Sequence, residues 1–338
     1  MMIFKTGLTL GKFAPFHRGH EYLIETALRE VEKLIVLIYD SSLTRIPLSV
    51  RAEWIRRLYP RVEVLEGWGG PEESGRGREV EKKQEDYVLK ALNGRKIDAF
   101  YSSEFYGKHM SLALKAKDRR VDEERRAVPV SGTLIRRNPH SFRHLMNPLV
   151  YRDHITRVVL VGAMSTGKSS LAEKLALAYE TSWMPEYGRE YWESRQVDRR
   201  LSLDDLERIV RVHQEREDEL AASANRYLFV DTCAITTYLF SLDYHKTATE
   251  FVRDAANKDH RRYDLFFLCG DDIPYDDTWD RSGPQKRSDF QKQTVADLLE
   301  RRIPFIPLMG SLNERAEKVG AVLRVFEKYA NYFGRYMA

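Results

Sequence analysis

The sequence has little of what marks several protein classes. Its 338 residues hold only two cysteines, Cys233 and Cys269, in different expected elements and without paired metal-ligand spacing. Neither a disulfide framework nor a zinc site is indicated, and a reducing cytoplasm fits best. No apolar run approaches membrane-spanning length, and Met1-Met2-Ile3-Phe4-Lys5 leads straight into a strand rather than a signal peptide, so membrane insertion is not expected. Neither sign of charge dominates: 55 basic residues stand interspersed with 51 acidic ones, for a net +4, and no basic stripe advertises a nucleic-acid surface. Internal repeats and low-complexity tails are also missing. Homo-oligomer formation is left open.

What is present is a chain too long for one ordinary core. Two domains are expected, residues 1–150 and 151–338, with the boundary between about Asn147 and Thr156. The second is organised around Gly162-Ala163-Met164-Ser165-Thr166-Gly167-Lys168-Ser169-Ser170, which follows the apolar run Val158–Val161 and precedes an amphipathic helix. Strand, glycine turn and helix in that order form a phosphate-binding P-loop. Backbone N–H groups and the helix N-terminus cradle the phosphates of a nucleotide, Lys168 reaches towards the β/γ oxygens, and the Ser169 hydroxyl suits Mg²⁺.

The first half opens on a strand over Lys5–Leu10, followed at once by Gly11-Lys12-Phe13-Ala14-Pro15-Phe16-His17-Arg18-Gly19-His20. The next helix carries Leu23, Ile24, Ala27 and Leu28 at helical spacing, which puts His17 and His20 on one face of its first turn, beside unpaired N–H groups able to hold phosphate oxygens. Gly-Lys-Phe-x-Pro-x-His-x-Gly-His resembles the signature of the adenylyl- and cytidylyltransferases. That family's second signature is matched by Val130-Ser131-Gly132-Thr133-Leu134-Ile135-Arg136. Ser131 and Thr133 at a helix start, with the Arg136 guanidinium, then serve the ATP triphosphate.

Between the signatures, strands and helices alternate. Strands are expected at Leu34–Tyr39, Val62–Leu65 and Asp98–Tyr101, and Ser49 is expected to cap the helix around Arg51–Ile55. Gly67–Gly77 reads as a loop near the ligand or a plain surface excursion. Asp40, Ser103 and Glu104 stand at strand ends, where such sheets bind ligands. The run Arg119-Arg120 to Arg125-Arg126 reads mostly as solvated surface, although Asp122 and Arg126 fall where the resemblance places a nucleotide-facing loop. Pro139–Tyr151 reads as helix and connector.

Beyond the P-loop, Thr181–Trp192 is dense in aromatics and charge, compatible with core packing or with an acceptor-facing loop. Ser202 with Asp205 makes a capping-box start to a long helix. The strand Tyr227–Thr232 delivers Asp231 at its carboxyl end, where it can hold Mg²⁺ through water, take the proton of an acceptor hydroxyl, or merely cap the next helix. Asp271–Arg287 reads as a lid whose Arg281, Lys286 and Arg287 close over the transferring phosphoryl group.

The whole order is similar to the bifunctional nicotinamide-mononucleotide adenylyltransferase and ribosylnicotinamide kinase family of bacterial NAD salvage. Tyr101-Ser102-Ser103-Glu104, Glu186–Tyr191, Val230-Asp231-Thr232 with Thr236-Thr237, and the Asp276-Asp277 to Arg281 stretch carry that likeness. The resemblance implies an α/β protein with a Rossmann-like nucleotidyltransferase sheet and a P-loop kinase sheet. Its ligands would be ATP, Mg²⁺, nicotinamide riboside, nicotinamide mononucleotide and NAD. Gly11, Lys12, Phe13, His17, His20, Ser131, Gly132, Thr133 and Arg136 would serve one site, and Glu186, Tyr187, Arg189 and Asp231 would face the riboside in the other. Some family members carry an N-terminal helix-turn-helix domain that this chain, starting at the first transferase strand, is not expected to have. The alternatives are another nucleoside or cofactor precursor as acceptor, or a nucleotide-sensing regulator with vestigial catalysis; intact His17, His20, Lys168, Ser169 and Asp231 weigh against the latter.

Overall fold

The computed structural model describes residues 3–71, 77–104, 106–197, 200–275 and 284–330. Described residues up to Tyr151, with Tyr329 and Ala330, fall in one compact unit, and Arg152–Lys328 in another. The break lies between Tyr151 and Arg152, inside the span Asn147 to Thr156, and residues 329–330 group with the first unit.

The first unit runs β1 (Phe4–Gly11), α1 (Arg18–Glu30), β2 (Val31–Tyr39), α2 (Leu48–Leu58), β3 (Glu63–Gly67), α3 (Arg78–Leu92), β4 (Ala99–Ser102), α4 (Gly107–Ala113), β5 (Lys117–Arg120), α5 (Gly132–Arg137) and α6 (Pro148–Tyr151). All strand pairs are parallel, in the order β3-β2-β1-β4-β5. Strands covered on both faces read as continuous apolar runs, as Leu34–Ile38 does. Leu8, Leu10, Ile35, Leu37 and Phe100 pack with Val88 and Leu92 of α3. The winding reverses between β1 and β4, whose carboxyl ends flank the crevice in which such sheets bind ligands.

Three local expectations are corrected here. Pro47, not Ser49, is the N-cap of α2, because proline's fixed φ serves a helix entry and its side chain needs no hydrogen bond. Arg119 and Arg120 belong to the edge strand β5 rather than a solvated run. Arg119 forks onto Glu30 at 2.9 and 2.6 Å, and Arg120 pairs with Asp118. Residues 139–151 give only a 3₁₀ turn, Arg143–Leu145, and the four-residue α6.

The second unit runs β6 (Thr156–Val161), α7 (Lys168–Ala178), β7 (Trp183–Met184), α8 (Tyr187–Arg195), α9 (Leu203–Ser223), β8 (Tyr227–Asp231), α10 (Ala234–His245), α11 (Glu250–Arg262), β9 (Leu265–Cys269), α12 (Pro284–Glu300), β10 (Ile306–Leu308) and α13 (Leu312–Val325). Its parallel sheet has the order β10-β9-β6-β8-β7, with Val158, Leu160, Phe229 and Phe267 packed on Leu171 and Leu175 of α7. The capping box at α9 forms as expected, Ser202 Oγ accepting from Asp205 N at 3.2 Å.

Beneath α9 lies a buried ionic cluster. Glu217 is fully buried and accepts from Arg157 (2.5 Å), Arg262 (3.1 Å) and Tyr263 (2.8 Å). Asp218 takes the second arms of both arginines, at 2.9 and 2.8 Å. No described helix of the chain is long and apolar enough to cross a membrane.

Candidate active sites

In the first unit the chain leaves β1 through Gly11–Phe16 and enters α1 at His17, its N-cap. His20 stands three residues on, so the two imidazoles stack, with centroids 3.7 Å apart and planes 15° off parallel. Phe13 meets His20 edge-on at 4.8 Å. The His17 N–H donates to His20 Nδ1 at 3.3 Å. With Nδ1 accepting, the proton of a neutral His20 ring sits on Nε2, which is thereby a donor.

Burial holds both rings neutral: His17 is lowered to about 4 by burial and then by the charge of Arg125. His20 is pushed well below its ordinary value by burial, then by His17 and Arg125. The pair therefore offers hydrogen-bond donors, while positive charge comes from the arginines.

The second signature closes the same cavity. Ser131 caps α5 by accepting from Leu134 N at 3.2 Å, and Arg136 donates to the Ala14 carbonyl at 2.6 Å and to Thr133 Oγ1 at 2.9 Å. A side chain at Gly132 would meet Arg136 Nη1 at 2.9 Å and the Ala14 oxygen at 3.3 Å, so glycine leaves room for the Arg136–Ala14 contact that joins the two signatures. All nine expected residues, Gly11, Lys12, Phe13, His17, His20, Ser131, Gly132, Thr133 and Arg136, line one cavity of about 600 Å³. Ser103 and Glu104 line it as well.

Two residues escaped the sequence reading. Arg125, expected on the surface, lines this cavity, and its neighbour Asp122 also lines it while accepting from Ala127 N and Val128 N, both at 2.9 Å. Arg51 of α2 is buried and donates to the carbonyls of Ile46 (3.0 Å), Tyr39 (3.2 Å) and Lys12, holding the signature loop from behind. An arginine interrupting the apolar face of α2 was the available signal. Asp40 ties down the turn after β3, accepting from Gly69 N and Gly70 N at 3.1 and 3.3 Å.

In the second unit Gly162 leaves β6 with φ +134°, and a side chain there would strike the Cys269 carbonyl at 2.7 Å. The loop curls over a buried Thr166, whose hydroxyl donates to the Ala163 carbonyl at 2.7 Å, and Lys168 Nζ reaches the same oxygen at 2.9 Å. Gln291 of α12 accepts from Ala163 N at 2.7 Å and donates to Cys269 O at 3.0 Å. Arg315 of α13 donates to Thr166 O (2.7 Å), Gly310 O (2.9 Å) and Asp272 (2.6 Å). Neither buttress carries a motif that a sequence could reveal.

Asp231 ends β8 with no exposed surface and accepts from the Ser169 hydroxyl through one oxygen, while Oδ1 is buried and has no hydrogen-bond partner. Burial, then the charge of Glu186, raises its carboxyl to about 6. The capping role for Asp231 falls away, because the N-cap of α10 is Cys233. A hydroxyl beside a buried carboxylate with a spare oxygen is a donor set that suits Mg²⁺, a hard cation that keeps waters and phosphate oxygens among its ligands. Among the described residues no group of three or more His, Cys, Asp or Glu forms a dedicated metal cage.

A cavity of about 750 Å³ opens beside the P-loop, lined by Gly162, Lys168, Glu186, Arg189 and Lys286 among others. Ser165, Thr166, Gly167, Ser169 and Ser170 lie on the loop and the first turn of α7 without being part of that lining. Tyr187 does not line it either: its ring is buried and lies 4.3 Å under the Arg216 guanidinium, a packing role set by its place on the α9-facing side of α8. Lys286 and Arg287 stand in the first turn of α12 rather than in a lid loop, because Pro284 starts a helix there. Arg287 is buried and donates to the Ile273 carbonyl at 2.8 Å. Arg281, with Asp276 and Asp277, lies outside the described residues.

These two sheets and their loops define a nucleotidyltransferase-type domain followed by a P-loop kinase-type domain. Residues 8–138 match the cytidylyltransferase-like family, and residues 157–315 match the AAA domain family. The chain is NadR-like along nearly its whole length. It is 28% identical over 326 residues to the trifunctional NAD biosynthesis/regulator protein NadR of Escherichia coli (strain K12), covering 89% of this chain and 78% of that protein. The NadR of Salmonella typhimurium (strain LT2) is likewise 28% identical, over 97% of this chain and 83% of its own length. Two solved NadR structures, one in complex with NAD and AMP-PNP and one with NR, share the fold. Each is 21% identical, covers 96% of this chain and 97% of its own, and gives TM-scores of 0.56 and 0.57 respectively.

Proposed function

We propose that this chain phosphorylates nicotinamide riboside with ATP and then adenylates the resulting mononucleotide to NAD, releasing pyrophosphate, each step in its own domain. The observation that carries the reading is the presence of two separate phosphate-binding devices, the His17/His20/Arg136 cradle and the Gly162–Ser169 loop, in one NadR-like chain.

In the kinase half, Asp231 is buried behind the cavity lining beside the Ser169 hydroxyl, with one unpartnered oxygen and a raised proton affinity, so it accepts the proton of the riboside 5′-hydroxyl as that oxygen attacks the γ-phosphorus. Lys168 neutralises charge on the phosphoryl oxygens, and Lys286 lines the same cavity and adds a second positive charge. Ser169 and Asp231 would hold Mg²⁺, which when bound neutralises the β- and γ-oxygens. In the transferase half, the mononucleotide's phosphate oxygen attacks the α-phosphorus of ATP while His20 Nε2, Lys12 and Arg136 hold the triphosphate in line. Neither half needs a covalent enzyme intermediate. The expected setting is the cytoplasm.

Incubation with ATP, Mg²⁺ and nicotinamide riboside tests this, with products identified by mass. The mononucleotide should appear first and NAD after it. Phosphorylation of some other nucleoside while the nicotinamide riboside is ignored would refute the substrate.

A further inference from the structure

The kinase cavity has a second polar end that no catalytic argument uses. Helix α9 buries the stripe Leu206, Ile209, Val210, His213, Glu217 and Ala221, and His213 is the position of that stripe where a polar ring lines the cavity. The residue is only 6% exposed, and its buried Nε2 has no hydrogen-bond partner. Glu217, one turn further on, does not satisfy it, being already engaged by Arg157, Arg262 and Tyr263. An unpaired polar atom at a core position costs stability that leucine would not, so a ligand group that pairs with it is the physical reason for a histidine there.

Electrostatics orders the cavity. Glu186 is close enough to Asp231 for its charge to act on that carboxyl, and close enough to His213 to act on the imidazole. Glu186 and His213 both line this cavity. A nucleoside entering this cavity meets Glu186, His213, Ile209, Trp192 and Phe240 among the groups open to its ribose and base.

We propose that His213 recognises the carboxamide on the pyridine base of the riboside and so selects the amide over the corresponding acid. This rests on the riboside reading given above. The one unpartnered nitrogen, Nε2, meets one group of the ligand; with the ring proton on Nδ1 it is an acceptor, which takes the N–H of a carboxamide, whereas a carboxylate offers acceptors alone and is rejected. Burial, the largest influence on His213, pushes its pKa down and keeps it neutral, so it does not repel the cationic pyridinium.

The test compares three ribosides as kinase substrates of the full chain: nicotinamide riboside, nicotinic acid riboside, and a pyridine riboside lacking the substituent. The wild type should favour the amide. His213→Ala should lower kcat/KM for nicotinamide riboside roughly tenfold to a hundredfold, mainly through KM, and leave the unsubstituted riboside unchanged. His213→Gln, which keeps a donor and an acceptor at similar reach, should recover part of the loss for the amide alone. An equal loss on the amide and unsubstituted ribosides in a variant with an unchanged melting curve would make His213 structural and overturn the proposal, as would no loss on either. A wild type that phosphorylates none of the three but accepts another nucleoside would overturn the riboside reading itself, which the control separates from a failure at His213.

Discussion

Replacing Asp231 by asparagine should stabilise the protein at neutral and alkaline pH while removing its kinase activity. Folding raises this carboxyl from an ordinary 3.8 to about 6, chiefly by burying it and then by placing it near Glu186. A carboxyl raised on folding binds its proton more tightly in the folded state, so its ionisation costs stability. The cost is absent below about pH 4, grows through the interval, and is complete above about pH 6. The shift corresponds to about 3 kcal/mol. Asparagine still accepts from the Ser169 hydroxyl but loses the charge assistance of that bond, which returns about 1 kcal/mol. The net gain near pH 8 is about 2 kcal/mol, or about 4–8 °C in the melting temperature of a unit of this size. Melting curves of wild type and Asp231→Asn at about pH 8 and about pH 4, without nucleotide or metal, measure it. The variant should melt higher at the first pH and level with the wild type at the second. A variant that melts lower at about pH 8, or by the same margin at both, would show that the carboxylate is not held at a cost. Riboside phosphorylation should fall by orders of magnitude, with mononucleotide adenylation unchanged.

Two further outcomes follow from the same geometry. Glu217→Ala leaves Arg157 and Arg262 without their shared buried carboxylate, so the kinase unit should lose about 3–5 kcal/mol in urea unfolding; a loss under about 1 kcal/mol would contradict the account of the cluster. His17 and His20 should stay neutral in the free protein from about pH 8 down to about pH 5.5, since burial lowers both, and imidazole NMR shifts titrating near their ordinary value would contradict it.

Much of both sites was legible because backbone-level chemistry needs particular residues at fixed spacing. A strand, a glycine turn and Lys-Ser specify a P-loop, and the paired histidines at a helix start point to the other candidate site, whose cavity they line. Hydrophobic runs located the buried strands, whereas β5 was hidden because an edge strand bearing Lys117, Asp118, Arg119 and Arg120 has no apolar alternation. Arg51 left one trace, a charge on the apolar face of α2, whereas Gln291 and Arg315 were equally hidden. Their role is to hold a carbonyl and an amide of the P-loop far away in sequence, and nothing local distinguishes such a residue from a surface one. Tyr187 shows the opposite error, since its neighbours Glu186 and Arg189 face the cavity and helical geometry turns it away. His213 stood in plain sight as a polar residue on an apolar helical stripe, and only the cavity gives it meaning.

The central claim is that two independent sites act in sequence on one substrate, and a mixture of two disabled full-length chains tests it most directly. Lys168→Ala removes the P-loop charge and should leave nicotinamide riboside untouched while still adenylating the mononucleotide. His20→Ala removes a triphosphate donor from the other cradle and should stop at the mononucleotide, each change costing its own step about a hundredfold or more. Mixed in equal amounts with ATP, Mg²⁺ and nicotinamide riboside, the two should make NAD, with free mononucleotide rising before it by mass spectrometry. Dinucleotide formed from the riboside by Lys168→Ala alone, or no NAD from the mixture when each variant retains its own step, would contradict the account.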